Sequence, residues 1–372
     1  MHHLKYDSLA ISYLSDNEIN NPFLVLNDSF AHVSSPNDVL EDLYTIWVCA
    51  MWNERWVKHK SPAHLYKIFK KIVRLMEAAW IINTFDSLHV FHDNYRQTEC
   101  YAFQQYDQHH GRDCPHEVQY LSHLLSENPL IDLKFALYDL TCLSLHSKQT
   151  REKINLDSFY FEAMQTVHYL IEIIFQLFKK FKNNFGGPFE NRKYLKTLKK
   201  IERKNLLYRY HTKIEDFVEH RKNGESMEAI RLVEQANMQV GFWRIYRTPG
   251  DMLHYFHDFQ FLIDYFSHHL TTIKGKHVAI NTEWPLPETI INKIRNDGTI
   301  WMLTPWQYLD DQFAAKSRND WQVLLERFLI ETLSNKVRIR ETFNNTNNQV
   351  LVFLKNLTKL EAIVQYAPKS ET

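Results

Sequence analysis

Apolar side chains recur through most of this chain at three- and four-residue spacing, the period of an amphipathic α-helix rather than the two-residue alternation of a half-buried strand. Behind the cap-like Pro36-Asn37-Asp38, the positions Val39, Leu40, Leu43, Ile46, Trp47 and Ala50 predict a long helix. Leu65, Ile68, Phe69, Ile72, Val73, Met76, Ala79 and Trp80 predict a second, running on toward Tyr101. Asn128-Pro129 interrupts the chain before another periodic stretch over 130–145, and residues 157–181 form the most apolar helix candidate. Helical spacing returns over 192–221, over 226–246 as far as Thr248-Pro249-Gly250, from Asp251 onward, and over 320–333 and 349–364. The lead-in 14–33 reads as turns with a brief helix, and His277 to Pro287, with Trp284-Pro285-Leu286-Pro287, reads as a short extended or irregular insertion.

The expected fold is therefore all-α, a multi-helix bundle in two halves. The strongest punctuation, Asn183-Asn184-Phe185-Gly186-Gly187-Pro188, places the boundary between an N-terminal half, 1–185, and a C-terminal half, 186–372. Composition agrees with this reading. Eight glycines in 372 residues supply few of the left-handed turns that a many-stranded fold needs, while 44% hydrophobic and 14% aromatic residues are ample for a packed core.

Charge and cysteine content exclude more than they assign. Lys+Arg and Asp+Glu are both 44, so no overall field steers the molecule toward polyanions. Cys49, Cys100, Cys114 and Cys142 contain no CxxC pair and imply no disulfide framework. The N-terminus carries no secretory pattern, and the greasiest run, Tyr169 to Phe181, is broken by Glu172, Gln176, Lys179 and Lys180 and is too short for a bilayer. No membrane span and a cytoplasmic location are the expectations. No nucleophile elbow and no glycine-rich phosphate loop is present, so hydrolase and nucleotide-binding chemistry has no positive signal.

One pattern exceeds coincidence. Asp86-Ser-Leu-His89-Val-Phe-His92-Asp93 and Asp251-Met-Leu-His254-Tyr-Phe-His257-Asp258 both read D-x-L-H-x-F-H-D. At about 100° per residue, the first Asp, the first His and the last Asp fall within about 60° on one helical face. Asp86, His89 and Asp93 form one such comb, and Asp251, His254 and Asp258 form the other. His92 and His257 sit about 60° beyond, as additional ligands or as groups that orient the first ones. Carboxylates and imidazoles projecting from bundle helices are the donor set that holds Fe, Mn or Zn, so a pseudo-twofold divalent transition-metal site, possible seat of an enzyme, is the first expectation. The competing structural reading makes Asp251 a helix N-cap behind Pro249-Gly250 and the histidines ordinary hydrogen-bonded residues.

The second expectation, of a different class, is a non-enzymatic binding module for nucleic acid or protein. Residues 179–213 are dense in Lys and Arg, opposed by Glu190 and Glu202 alone, with Tyr194, Tyr208 and Tyr210 interleaved as stacking groups. Within it Lys193, Lys196, Lys199, Lys200, Arg203 and Lys204 are the candidate phosphate contacts, against the simpler reading of a solvated helical face. The His-rich stretch Tyr106 to His116 matches no zinc spacing. Glu41, Asp42, Trp47, Trp52 and Trp56 mark an aromatic helix, read here as core.

Overall fold

The computed structural model describes residues 13–51, 61–84, 116–146, 158–181, 225–239, 249–275, 286–296, 304–334 and 345–361, with the short pieces 242–243, 298–299 and 302. Among the described residues every regular element is helical, in agreement with the all-α expectation: α1 Asp16–Asn20, α2 Phe23–Phe30, α3 Asn37–Met51, α4 Pro62–Thr84, α5 His116–Glu127, α6 Leu130–Leu145, α7 Ser158–Phe181, α8 Glu225–Met238, α9 Pro249–Gly275, α10 Glu288–Asn296, α11 Pro305–Ala315, α12 Arg318–Leu333 and α13 Asn345–Glu361. The chain divides into two compact units, one of residues 1–60 and 64–205 and one of 61–63 and 206–372. The glycine-rich punctuation at 183–188, the helix expected over 192–221 and most of the irregular insertion at 277–287 lie outside the described residues; of the insertion, Leu286 and Pro287 are described and are not helical.

In the first unit α6 is the axis. Leu130, Leu133, Ala136 and Leu137 are buried along one stripe of the first half, and from Leu140 to Leu145 every residue is buried, so the second half of the helix is covered on every side. It packs on α3 and α7, and α7 also meets α2, α3 and α5. Burial all round requires its polar groups to be satisfied locally. Thr141 donates to the Leu137 carbonyl at 2.7 Å and Ser144 to the Thr141 carbonyl at 2.7 Å. Phe30 of α2 sits edge-on to Phe175 of α7, ring centroids 5.3 Å apart.

Buried charge joins α4 to this axis. Glu77 is fully buried, accepts from the Tyr13 backbone N–H at 3.0 Å and lies 2.5 Å from Lys134 Nζ of α6. Arg74, one turn earlier, bonds Glu18 of α1 and reaches Asp28 of α2 at 3.1 Å, and Lys71 pairs with Asp42 of α3 at 2.7 Å. The same face of α4 thus clamps four neighbouring helices. Burial acts to raise the Glu18 carboxyl, but the Ser15 N–H, the Arg74 guanidinium and the Ser15 hydroxyl that bond it bring it below its ordinary value.

The second unit is built on α9 and α12, which pack along each other, with α11 against α9, α13 against both, and α8 against α9, α12 and α13. Phe256 of α9 meets Phe328 of α12 at 6.1 Å, and Trp321 of α12 stacks on Phe353 of α13 at 3.9 Å. Asp264 of α9 accepts from Arg318 Nε at 2.5 Å and Gln322 Nε2 at 2.6 Å. α8 ends at Met238 with a bend at Gln239, Phe242 and Trp243 are helical again, and 240–241 and 244–248 lie outside the described residues. Trp243 is buried and donates its indole N–H to the Thr332 carbonyl at 2.7 Å, an anchor that fixes this short piece against α12. The Ser317–Asp320 capping box starts α12 immediately after α11.

Two outcomes follow from this arrangement. Glu77→Leu or Lys134→Met alone leaves an uncompensated buried charge and costs about 3–5 kcal/mol, whereas the double variant costs less than the sum of the two, read from urea unfolding of all four proteins. Because the folded Glu18 is held below its unfolded value, its contribution is complete above the ordinary glutamate range and is lost as pH falls through the depressed value. Arg74→Met removes that contribution, so the gap in Tm between wild type and variant shrinks as the pH is lowered through the glutamate range.

Candidate functional site

The second octapeptide opens α9. Pro249 occupies the helix start, where its missing N–H is no loss, and Asp251 lies inside the first turn, so the N-cap role expected for it is not the one it takes. A carboxylate there still faces the positive end of the helix dipole. Within 251–258 the structure separates the pattern into two sets. Leu253 and Phe256 are buried against the core of the unit, together with Met252. His254 is exposed, and Asp251, His257 and Asp258 are half-buried. The apolar identities in D-x-L-H-x-F-H-D are thus explained by packing.

Asp251 and His254, three residues apart, are coupled electrostatically. Burial pushes the Asp251 carboxyl above its ordinary range, and the positive form of His254 pulls it partway back. His254 and Asp258, four residues apart, are neighbours on the same flank. Asp251, His254, His257 and Asp258 each make further interactions within the protein. As placed, no group of three or more His, Cys, Asp or Glu side chains among the described residues encloses a common ion position. The face offers a comb of donors rather than a closed cage.

Asp86, His89, His92 and Asp93 lie outside the described residues, as do Lys193, Lys196, Lys199, Lys200, Arg203 and Lys204. Only the leading edge of the basic stretch is described. Lys180 is 2.5 Å from Glu117, a buried residue of α5, and Lys179 is exposed with its ammonium 5.5 Å from the Phe175 ring. Lys180 is therefore engaged in holding α7 to α5. Of the His-rich stretch only the position of His116, at the start of α5, is described. Cys49 and Cys142 are buried and not joined in a disulfide, and Cys100 and Cys114 lie outside the described residues. No described helix is long and apolar enough to cross a membrane.

The expectation that the aromatic residues of α3 belong to the core is corrected for Trp47, which is half-exposed and meets Phe161 of α7 at 6.3 Å. Trp52 and Trp56 lie outside the described residues. Beside Trp47, Tyr44 donates to or accepts from His168 Nδ1 at 2.9 Å, and His168 Nε2 lies 3.4 Å from Glu172. This exposed cluster carries no sequence motif. The signal that was available is the spacing of Phe161, Gln165, His168, Tyr169 and Glu172, which mark one face of α7 opposite its Ile and Leu positions.

Because its folded carboxyl is raised, Asp251 binds a proton more readily in the native state than in the unfolded one, so its ionisation lowers stability as pH rises from the ordinary aspartate range through the raised value. Asp251→Asn removes that dependence: relative to wild type the variant gains in Tm between acidic and neutral pH, and equal pH profiles for the two proteins would count against the burial assigned to this carboxyl. Comparison with protein-family models, with curated proteins and with solved structures returned no match for this chain.

Proposed function

We propose that the chain is a metal-binding helical protein in which each D-x-L-H-x-F-H-D segment presents an Asp-His-Asp comb to a divalent transition ion, Fe, Mn or Zn. One observation carries the reading: on α9 the buried Leu253 and Phe256 take the core side, while the exposed His254 and the half-buried Asp251, His257 and Asp258 place two carboxylates and two imidazoles within eight residues of one helix. Repetition of those same polar identities at Asp86, His89, His92 and Asp93 is what ligand chemistry would account for. His254 neighbours Asp251 at i−3 and Asp258 at i+4, so either pair can face a shared ion. Such a pair leaves coordination positions for water or an external ligand. Binding an ion here displaces the proton that burial favours on Asp251, so affinity falls as the pH drops.

The test is elemental analysis and equilibrium dialysis of the purified chain with Zn, Mn and Fe, beside Asp251→Ala/His254→Ala and Asp86→Ala/His89→Ala. The expected result is stoichiometric metal in wild type and the loss of one share in each variant, with far-UV circular dichroism unchanged. Wild type that holds no metal and takes none up overturns the reading and turns attention to the basic stretch, where charge reversal at Lys196, Lys199 and Lys200 would be expected to flatten salt-dependent polyanion binding.

A further inference from the structure

The first unit exposes an aromatic surface that its own folding does not use. Tyr44 and Met51 of α3 and Phe161 of α7 keep 47%, 49% and 60% of their surface in water, and Tyr169 stands beside them. These side chains are neighbours: Tyr44 contacts His168, Trp47 contacts Phe161, and Tyr169 packs edge-on to His168 at 5.7 Å. Because 44 pairs with 168 and 47 with 161, α3 and α7 run antiparallel here, and the strip extends about 12 Å along α7. Polar contacts hold it in place. His168 is fixed between the Tyr44 hydroxyl at 2.9 Å and Glu172 at 3.4 Å, and Gln165 Nε2 donates to the Tyr169 hydroxyl at 3.2 Å. Rings ordered before binding lose little conformational freedom when a partner arrives.

Charge says what the partner carries. α3 contains Asp38, Glu41 and Asp42 and no Lys or Arg, and α7 contains Glu162 and Glu172 and no Lys or Arg before Lys179. Asp38, Glu41 and Glu162 are exposed; Asp42 alone is neutralised by a lysine, Lys71. An aromatic strip flanked by carboxylates attracts ammonium and guanidinium groups twice, through the ring faces and through ion pairs at the rim. Tyr, Trp and Phe are also the side chains that dominate protein interfaces. A two-helix-wide strip of this length matches one to two turns of a docked segment.

We propose that this α3–α7 strip, centred on Tyr44, Trp47, Phe161 and Tyr169, is a docking surface for a Lys/Arg-bearing peptide segment of another protein. The experiment is selection of random 15-residue peptides by mRNA display on the immobilised full chain, followed by fluorescence anisotropy with the selected peptides. Two double variants report from different helices, Phe161→Ser/Glu162→Lys on α7 and Tyr44→Ala/Glu41→Lys on α3. Val323→Ser, at an exposed position of α12, is the control. Circular dichroism establishes that each variant is folded, and the two variants guard against the failure of either one. The expected result is enrichment of cationic peptides bearing apolar residues, with Kd raised about tenfold or more by both double variants and unchanged by the control. Selected peptides without positive charge, no enrichment at all, or equal affinity for wild type and both variants overturn the proposal. So does a wild-type dimer in light scattering that both variants abolish, since the strip would then be covered by a second copy.

Discussion

The burial of the second half of α6 on all sides sets the terms for the first unit. A helix buried at every position from Leu140 to Leu145 cannot sit at a surface, because each exposed Leu forgoes about 1.5–3 kcal/mol of transfer free energy, so α3 and α7 must cover it and the rest of the unit must hold them there. Its hydroxyls turn back onto carbonyls of their own helix, and its one described cation, Lys134, meets the buried Glu77 of α4. That contact is where burial and charge are linked. A carboxylate with no exposure is stabilised by the ammonium and the Tyr13 N–H that reach it, and the requirement constrains the rotation of α4 about its own axis. With that rotation set, Arg74 and Lys71 fall where Glu18, Asp28 and Asp42 can meet them.

The second unit solves the same problem with rings instead of buried charge. α9 and α12 share Phe256 and Phe328, α13 adds Phe353 under Trp321, and Trp243 closes against α12 through its indole N–H. Burying Met252, Leu253, Phe256 and Phe259 on one side of α9 leaves the Asp/His comb on the other. The placement of the comb is a consequence of helical period combined with core packing.

Outward faces are also where the two units' candidate chemistry lies. The α9 comb and the α3–α7 strip both consist of groups that the core does not demand, and they differ in how they are held. His168 is fixed by a hydroxyl and a carboxylate, while His254 is exposed beside a carboxyl whose pKa burial has raised. The first is held by hydrogen bonds and ring contacts; the second presents an exposed imidazole next to half-buried carboxylates.

Helix existence was legible in the sequence wherever a stripe of three- and four-residue spacing ran for more than two turns. The elements at 37–51, 62–84, 130–145, 158–181, 249–275 and 318–333 are close to the periodic stretches that announce them, because a buried stripe imposes its period whatever it packs against. α5, α10 and α11 left fainter traces, and α8 ends at Met238, with Phe242 and Trp243 helical again beyond the bend at Gln239. The D-x-L-H-x-F-H-D repeat was legible as a pattern, and its Asp-His-Asp face followed from 100° per residue. Which side of α9 met the core was not, since apolar and polar residues both recur there at helical spacing. Trp47 shows the same limit: its type and period fit a buried position, and only the placement of α7 decides that it meets Phe161 at the surface. Periodicity is a property of one helix and can be read from its residues; rotation about the helix axis is settled by the sum of contacts with all the others, and those are made only in the folded chain.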